Sequence, residues 1–347
     1  MTGAGPAALF SVLARLPHRS AEIPLEALVA PDLAHHAARH GVAAWVLEGL
    51  GARELAGATR AELSTGARDT FMQAARIRRL TTKVIDALAR RSITPVALKG
   101  SVLASRLFPE NPNVRTSSDV DVLVAPDALD DAAAAMEGIG LRRFHDTASA
   151  DQLEDHHHLS FMNQSELVEV HFRLTNTFGR GLFDDAAVLA RTMPLRFEGR
   201  DVLVLCPEDE FLYLATHAAN HAFMRASWLV DLQQYLLRFP SLDFAVMAVR
   251  AADAGFTTAV TVTLGLLERL LGVELPASAR LAFPAAPARR LVDQLLFSPE
   301  RVVSAEWSNH ALAGFALRLW MVDGPRRGAR HVTDGLMRYA RRALSKG

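Results

Sequence analysis

The stretch Ser117-Ser118-Asp119-Val120-Asp121-Val122-Leu123-Val124 sets two carboxylates two residues apart inside an apolar, β-branched run. Residues of that kind favour a strand, and successive strand side chains point to opposite faces. Asp119 and Asp121 therefore share one face, while Val120, Val122 and Val124 cover the other. Adjacent carboxylates repel, and a face turned toward a protein interior keeps both ionised only beside a cation. Hard oxygen ligands of this kind suit Mg²⁺ or Mn²⁺, as at a metal-dependent phosphoryl-transfer site. An edge strand with a solvated acidic face has the same spacing, so the surrounding sequence is needed to choose.

Upstream, Thr94-Pro95-Val96-Ala97-Leu98-Lys99-Gly100-Ser101 leads into Val102-Leu103-Ala104-Ser105-Arg106-Leu107-Phe108, which reads as a short buried strand, a turn and a helix. A helix start presents unpaired backbone N–H groups and the positive end of the dipole, a cradle for phosphate. Gly100 lets the backbone approach a ligand, Ser101 can cap the helix or bond a phosphate oxygen, and Lys99 adds charge. An ordinary capped turn would use the same residues. Downstream, Leu167-Val168-Glu169-Val170-His171-Phe172-Arg173-Leu174 alternates again, with Glu169, His171 and Arg173 opposite Val168, Val170 and Phe172. Glu169 on a neighbouring strand would complete a carboxylate triad able to hold two metal ions. A cross-strand surface pair of Glu169 with Arg173 fits the spacing equally.

Leu98-Lys99-Gly100, then Arg115 ahead of Asp119-Val-Asp121-Val-Leu-Val, then Val168-Glu169-Val170-His171, resembles the uncharacterised nucleotidyltransferase family of the polymerase β-like superfamily. The resemblance continues through Cys206-Pro207-Glu208-Asp209-Glu210-Phe211-Leu212, Ala215-Thr216-His217-Ala218-Ala219-Asn220-His221 and Trp228-Leu229-Val230-Asp231-Leu232, and covers about residues 90 to 240. The gap from Ser101 to Asp119 is longer than the superfamily's usual one, with Pro109 and Pro112 in a loop that carries Arg115. The resemblance implies an α/β (α+β) fold, a small mixed sheet flanked by helices. It makes Asp119, Asp121 and Glu169 the catalytic residues and the ligands of Mg²⁺ or Mn²⁺. Lys99, Gly100, Ser101, Arg115, His171, His217 and His221 would bind the NTP, and Asp231 would line the same cleft.

The chain has 347 residues, half of them apolar, enough for a sizeable core or for several domains. Lys plus Arg and Asp plus Glu number 38 each, and this balance argues against a general polyanion binder such as a nucleic-acid protein. The one cysteine, Cys206, excludes an internal disulfide framework and suits a reducing cytoplasm. No run of about eighteen apolar residues is present to span a bilayer. Met1 to Ala14 contain no Lys or Arg, so no secretory signal is expected and the protein is expected to be cytoplasmic. Oligomeric state leaves no signature in the sequence.

Three regions follow from composition. Residues 1–91 read as helices: Ala7 to Leu16, Leu25 to Leu50 with a break near Pro31, and a long stretch from Ala52 to Arg91. The last is amphipathic through Phe71, Ala74, Ile77, Leu80, Val84 and Leu88. Residues 92–205 form the expected nucleotidyltransferase core, with strands at 93–98, 120–125, 141–145, 158–163, 167–174 and 201–205 and helices at 101–107 and 127–138. Residues 206–347 read as helical, with breaks at Pro240, Pro276, Pro284, Pro287 and Pro325. Residues 326–347 are basic, which suits a solvated helix face more than a nucleic-acid or membrane contact.

His156-His157-His158 and the pair His217 and His221 offer transition-metal ligand types. The zinc-protease form needs Glu after the first histidine, where Ala218 stands, and neither cysteines nor a second ligand cluster accompany them. A zinc site is therefore not expected.

The expected reaction is transfer of a nucleoside monophosphate from an NTP, such as ATP, to an acceptor. By the resemblance that acceptor is a small molecule or modified peptide of a biosynthetic pathway. The alternatives are a nucleotide- or protein-binding module on the same fold, and a phosphotransferase moving the γ-phosphate.

Overall fold

The computed structural model describes residues 4–17, 22–51, 55–144, 157–175, 183–304, 311–330 and 332–333. His156 and most of the basic C-terminal stretch lie outside the described residues. Helices α1 (Ala4–Leu13), α2 (Leu25–Leu28), α3 (Leu33–Arg39), α4 (Ala43–Leu50) and α5 (Gly57–Ala89) come first. The expected helix over 25–50 breaks near Pro31 and again at Gly41, whose φ of +70° ends α3. A Cβ at Gly66 would lie 2.9 Å from Ala43 Cβ and 3.1 Å from Ala38 Cβ, so α5 approaches α3 and α4 closely there. The long helix buries Ala74, Ile77, Leu80, Val84 and Leu88 as expected, but Phe71 is 37 % exposed. The stripe runs through Thr70 instead, whose hydroxyl donates to Gly66 O.

The sheet strands and their helices follow: β1 (Val96–Ala97), α6 (Gly100–Leu107), β2 (Val120–Leu123), α7 (Leu129–Gly138), β3 (Arg142–Phe144), β4 (His158–Met162), β5 (Leu167–His171), α8 (Asp185–Ala190), β6 (Met193–Phe197) and β7 (Arg200–Val204). They form one mixed seven-stranded sheet in the order β3-β4-β5-β2-β1-β7-β6. β2 runs parallel to β5 with Asp121 opposite Glu169, and β4 runs antiparallel to β5 with His158 opposite His171. Strand β6 was not expected from the sequence. It pairs with β7 across a two-residue turn, Glu198 and Gly199, both at positive φ, and its Pro194 is tolerated because the strand lies at the sheet edge.

Val120, Val122, Val124, Val168, Val170 and Phe161 pack one sheet face onto α7 and the C-terminal half of α5. The odd residues of β2 and β5 turn the other way, toward the C-terminal helices. Those are α9 (Pro207–Asn220), α10 (Ala226–Arg238), α11 (Phe244–Ala254), α12 (Thr257–Leu271), α13 (Ala277–Ala282), α14 (Pro287–Leu296), α15 (Pro299–Ser304) and α16 (Ala311–Trp320). Pro207 opens α9, with Glu208, Asp209 and Glu210 in its first turn, where proline's missing N–H costs nothing and the dipole favours acids. Arg106 of α6 pairs with buried Glu210 of α9, which also accepts from Tyr235 Oη of α10 at 2.7 Å, so the three helices are tied together. One apolar cluster joins Leu9, Leu63, Leu103, Leu205, Leu267 and Met321, from every part of the chain. Among the described residues no helix is long and apolar enough to cross a membrane.

His40 holds three of these helices in register. Its Nε2 lies 3.0 Å from Val303 O of α15, and its Nδ1 accepts from Ala226 N of α10 at 3.2 Å. Burial pushes its pKa down to about 4, from an ordinary value of 6.5. A histidine depressed in the fold contributes stability fully above its unfolded pKa and loses it as pH falls toward the folded value. Urea unfolding is expected to weaken by about 3 kcal/mol between pH 6.5 and 4 through this residue. His40→Gln should flatten that dependence, and an unchanged slope would remove His40 as its source.

Candidate active site

Alternation on β2 and β5 gives the sheet a polar patch opposite the valines. Asp121 is only 2 % exposed, an expensive place for a carboxylate unless it is paired. Lys99 Nζ lies 3.0 Å from its Oδ1, and His171 Nε2 lies 3.2 Å from the same oxygen. Burial alone would raise the Asp121 pKa, but the Lys99 charge and the His171 hydrogen bond hold it well below the usual carboxylate range. Burial likewise pulls Lys99 toward neutrality, and Asp121 overcomes it, so both stay ionised. Glu169, 21 % exposed at the side chain, lies 3.6 Å from His171 Nε2. Asp119 stands in a bend just before β2, where its Oδ1 accepts from Ser117 Oγ at 2.7 Å. Burial and the like charge of Asp121 push its pKa up.

Lys99 occupies the N-cap position of α6. Ser101 therefore lies inside the first turn and is not the cap. Gly100 has φ +67°, a conformation that costs an L side chain about 1–2 kcal/mol, although a Cβ there would find ordinary space, 3.7 Å from Asp119 O. Gly100→Ala is expected to lose about that much stability in urea unfolding, and a loss near zero would show that the turn relaxes without strain.

Arg115 is engaged within the protein. Its Nε and Nη2 donate to the two oxygens of Asp231 at 2.9–3.1 Å, and its Nη1 donates to Gly100 O at 3.0 Å. The guanidinium thus ties the loop to Asp231 and to the carbonyl of the turn. Asp231, 2 % exposed, is its anchor and does not line the cleft.

A cavity of about 230 Å³ opens between the polar sheet face and α9. It brings together Lys99, Glu169, His171, His217 and His221. Gly100, Ser101, Arg115, Asp119 and Asp121 are outside its lining, with Asp121 directly behind Lys99 and His171. The His217 and His221 rings lie 4.8 Å apart, tilted by 55°, and both flank Trp228. Burial and the nearby Lys99 charge hold His217 well below its ordinary pKa, so it is neutral at pH 7.

Sequence reasoning missed Tyr213, Thr216 and Asn220, which line the cavity from α9. Their signal was the polar spacing 213, 216, 217, 220 on an otherwise apolar helix. It also separated His157 and His158 from their partner. The β4 and β5 register sets their rings 5.1 Å from His171.

Asp121 Oδ2, His157 Nδ1 and His171 Nδ1 are buried with no hydrogen-bond partner. Asp121, Glu169 and His171 offer ligand atoms within 4.8 Å of one another, as do His157, His158 and His171. Donors of the first set, two carboxylates and one imidazole around an orphaned carboxylate oxygen, fit a divalent cation.

No curated protein matches the chain. A solved structure, the solution structure of the antibiotic-resistance factor ANT(2'')-Ia, aligns with 16 % identity and a TM-score of 0.36 over 50 % of this chain and 89 % of that one. The family model described as uncharacterised nucleotidyltransferase matches residues 28–272, which take in all the strands and the helices that enclose the cavity. By that match over most of its length, the chain belongs to the uncharacterised nucleotidyltransferase family.

Proposed function

We propose that this chain is a cytoplasmic, metal-dependent enzyme that transfers a nucleoside monophosphate from an NTP to a hydroxyl of a small molecule or modified peptide in a biosynthetic pathway. Residues 92–205 would form the transfer core between helical regions 1–91 and 206–347. The observation that carries the reading is the in-register pair of Asp121 and Glu169 on adjacent parallel strands, beside Lys99 on the sheet's polar face. Asp119, Asp121 and Glu169 would hold Mg²⁺ or Mn²⁺. When bound, the metal neutralises triphosphate charge and lowers the pKa of the acceptor hydroxyl.

The chain's own residues position the reactants. The first turn of α6 at Gly100 and Ser101 presents backbone N–H groups to the triphosphate, and Lys99 adds a fixed positive charge. His171 keeps Asp121 oriented, while His217 and His221 offer neutral or exposed imidazoles along the cavity wall. Glu169, which lines the cavity, would accept the proton of the acceptor hydroxyl. The acceptor oxygen bonds to the α-phosphorus as the bond to the β-phosphate oxygen breaks, and pyrophosphate leaves.

The test is incubation of the purified protein with Mg²⁺, each of the four NTPs and a host-cell metabolite or peptide extract, following pyrophosphate and adduct masses. The expected result is pyrophosphate together with a nucleoside-monophosphate mass increment. A nucleoside diphosphate product would instead identify a phosphotransferase. Tight NTP binding without product across the acceptor pool would identify a binding module.

A further inference from the structure

We propose that His157, His158 and His171 form a transition-metal site of the zinc type, separate in ligand chemistry from the carboxylates that would take Mg²⁺. The three rings converge from two strand ends: their centroids are 4.3, 5.1 and 5.1 Å apart. Their ligand nitrogens lie within 4.8 Å of one another. His157 Nε2 and His158 Nδ1 are 3.1 Å apart. Two imidazole nitrogens on one tetrahedral zinc, each about 2.0–2.1 Å from the metal, stand about 3.3 Å apart. The separation of this pair, which shares a hydrogen bond here, matches what one ion requires once the bridging proton is lost and the rings turn toward it.

The surroundings of His171 point the same way. Its Nε2 faces Asp121 Oδ1 at 3.2 Å, and its Nδ1 is buried without a partner. A metal-bound imidazole commonly gives its other N–H to a carboxylate, which fixes the tautomer and turns the free nitrogen toward the ion. His158 repeats the arrangement less closely, with Nε2 3.6 Å from Glu169 Oε1 and Nδ1 toward His157. Three imidazoles leave a fourth position of a tetrahedral ion open to water or ligand, and this set adjoins the cavity that all three histidines line. Imidazole donors select Zn²⁺, Ni²⁺, Co²⁺ or Cu²⁺ over Mg²⁺. The ion would clamp the start of β4 to the end of β5 and form one wall of the cavity. This inference holds whether or not the protein transfers nucleotides.

Chelator-treated full-length protein is titrated with Co²⁺ alone, reading its visible ligand-field bands, and then with Zn²⁺ in competition. The expected result is a saturable site that Zn²⁺ displaces and that excess Mg²⁺ leaves in place. His158→Ala and His157→Gln should each weaken it by at least about 100-fold, whereas Asp119→Asn should leave it within a few-fold of wild type. X-ray absorption on Zn²⁺-loaded wild-type protein provides a readout that does not depend on a variant folding, and should show imidazole scattering from two or three histidines. Co²⁺ displaced by Mg²⁺, bands lost in Asp119→Asn but kept in the histidine variants, or a zinc spectrum without imidazole scattering would overturn the site.

Discussion

Asp119→Asn protein is expected to melt at or slightly above the wild-type temperature and to transfer nucleotide at least about 100-fold more slowly. The two halves of that expectation have different sources. Asp119 lies before β2, outside the apolar cluster, and asparagine keeps the oxygen that accepts from Ser117 Oγ. Burial and the neighbouring Asp121 charge raise its folded pKa. A carboxylate raised in the fold is more favourable protonated there, so the stability it contributes is present below its unfolded pKa and is lost as pH rises through the folded one. At pH 7 the ionised Asp119 is therefore a cost to the metal-free fold, and the neutral amide removes it. What asparagine cannot replace is the charge that would hold the metal and the triphosphate. Thermal melts with and without Mg²⁺, alongside pyrophosphate release, separate the two effects. Mg²⁺ should raise the wild-type melting temperature and leave the variant unmoved. Transfer at the wild-type rate would take Asp119 out of the machinery.

Asp121 is the wrong residue for so clean an experiment. Its side chain is buried against Lys99 and His171, so an amide there strands a buried ammonium as well as removing a ligand. Loss of activity in that variant would not distinguish a damaged site from a damaged fold.

This difference between two aspartates marks how far the sequence is legible. Alternation through 120–124 and 167–171 suffices to put Asp121, Glu169 and His171 on one side of the sheet, because burying the valines on the other side fixes the face. It also places the strand, turn and helix at 96–107, since an apolar strand followed by Lys99-Gly100-Ser101 turns directly into a helix. Alternation carries no information on what lies across the fold. Arg115 and Asp231 are 116 residues apart and meet only because α10 packs beside α6, so Arg115 reads as a free loop cation. His157 and His158 read as an isolated pair because their partner, His171, is supplied by strand register. Strand β6 hides for a local reason: its alternation is only five residues long and carries Pro194, and only Leu195 and Phe197 pack inward.

Arg115→Ala is expected to destabilise the protein by about 3–5 kcal/mol, the cost of leaving a buried carboxylate without its partner. The guanidinium makes three hydrogen bonds to Asp231 and one to Gly100 O, from a side chain only 9 % exposed. The planar fork matches the carboxylate, so lysine keeps the charge but not the paired geometry, and Arg115→Lys should fall between alanine and wild type. Asp231→Ala should cost a comparable amount, because it strands the arginine instead. Together the two substitutions should cost less than the sum of the singles, since the double variant leaves neither charge unpaired. Urea unfolding of all four proteins completes that cycle. A phosphate-binding role predicts the opposite pattern: wild-type stability in Arg115→Ala, no coupling to Asp231, and a loss confined to NTP affinity. Gly100 links the two accounts, because its carbonyl accepts from Arg115 while its positive φ shapes the start of α6. If the arginine acts by holding that turn, the stability lost in Arg115→Ala will be accompanied by weaker NTP binding under conditions where the variant remains folded, and Gly100→Ala will weaken NTP binding in the same direction.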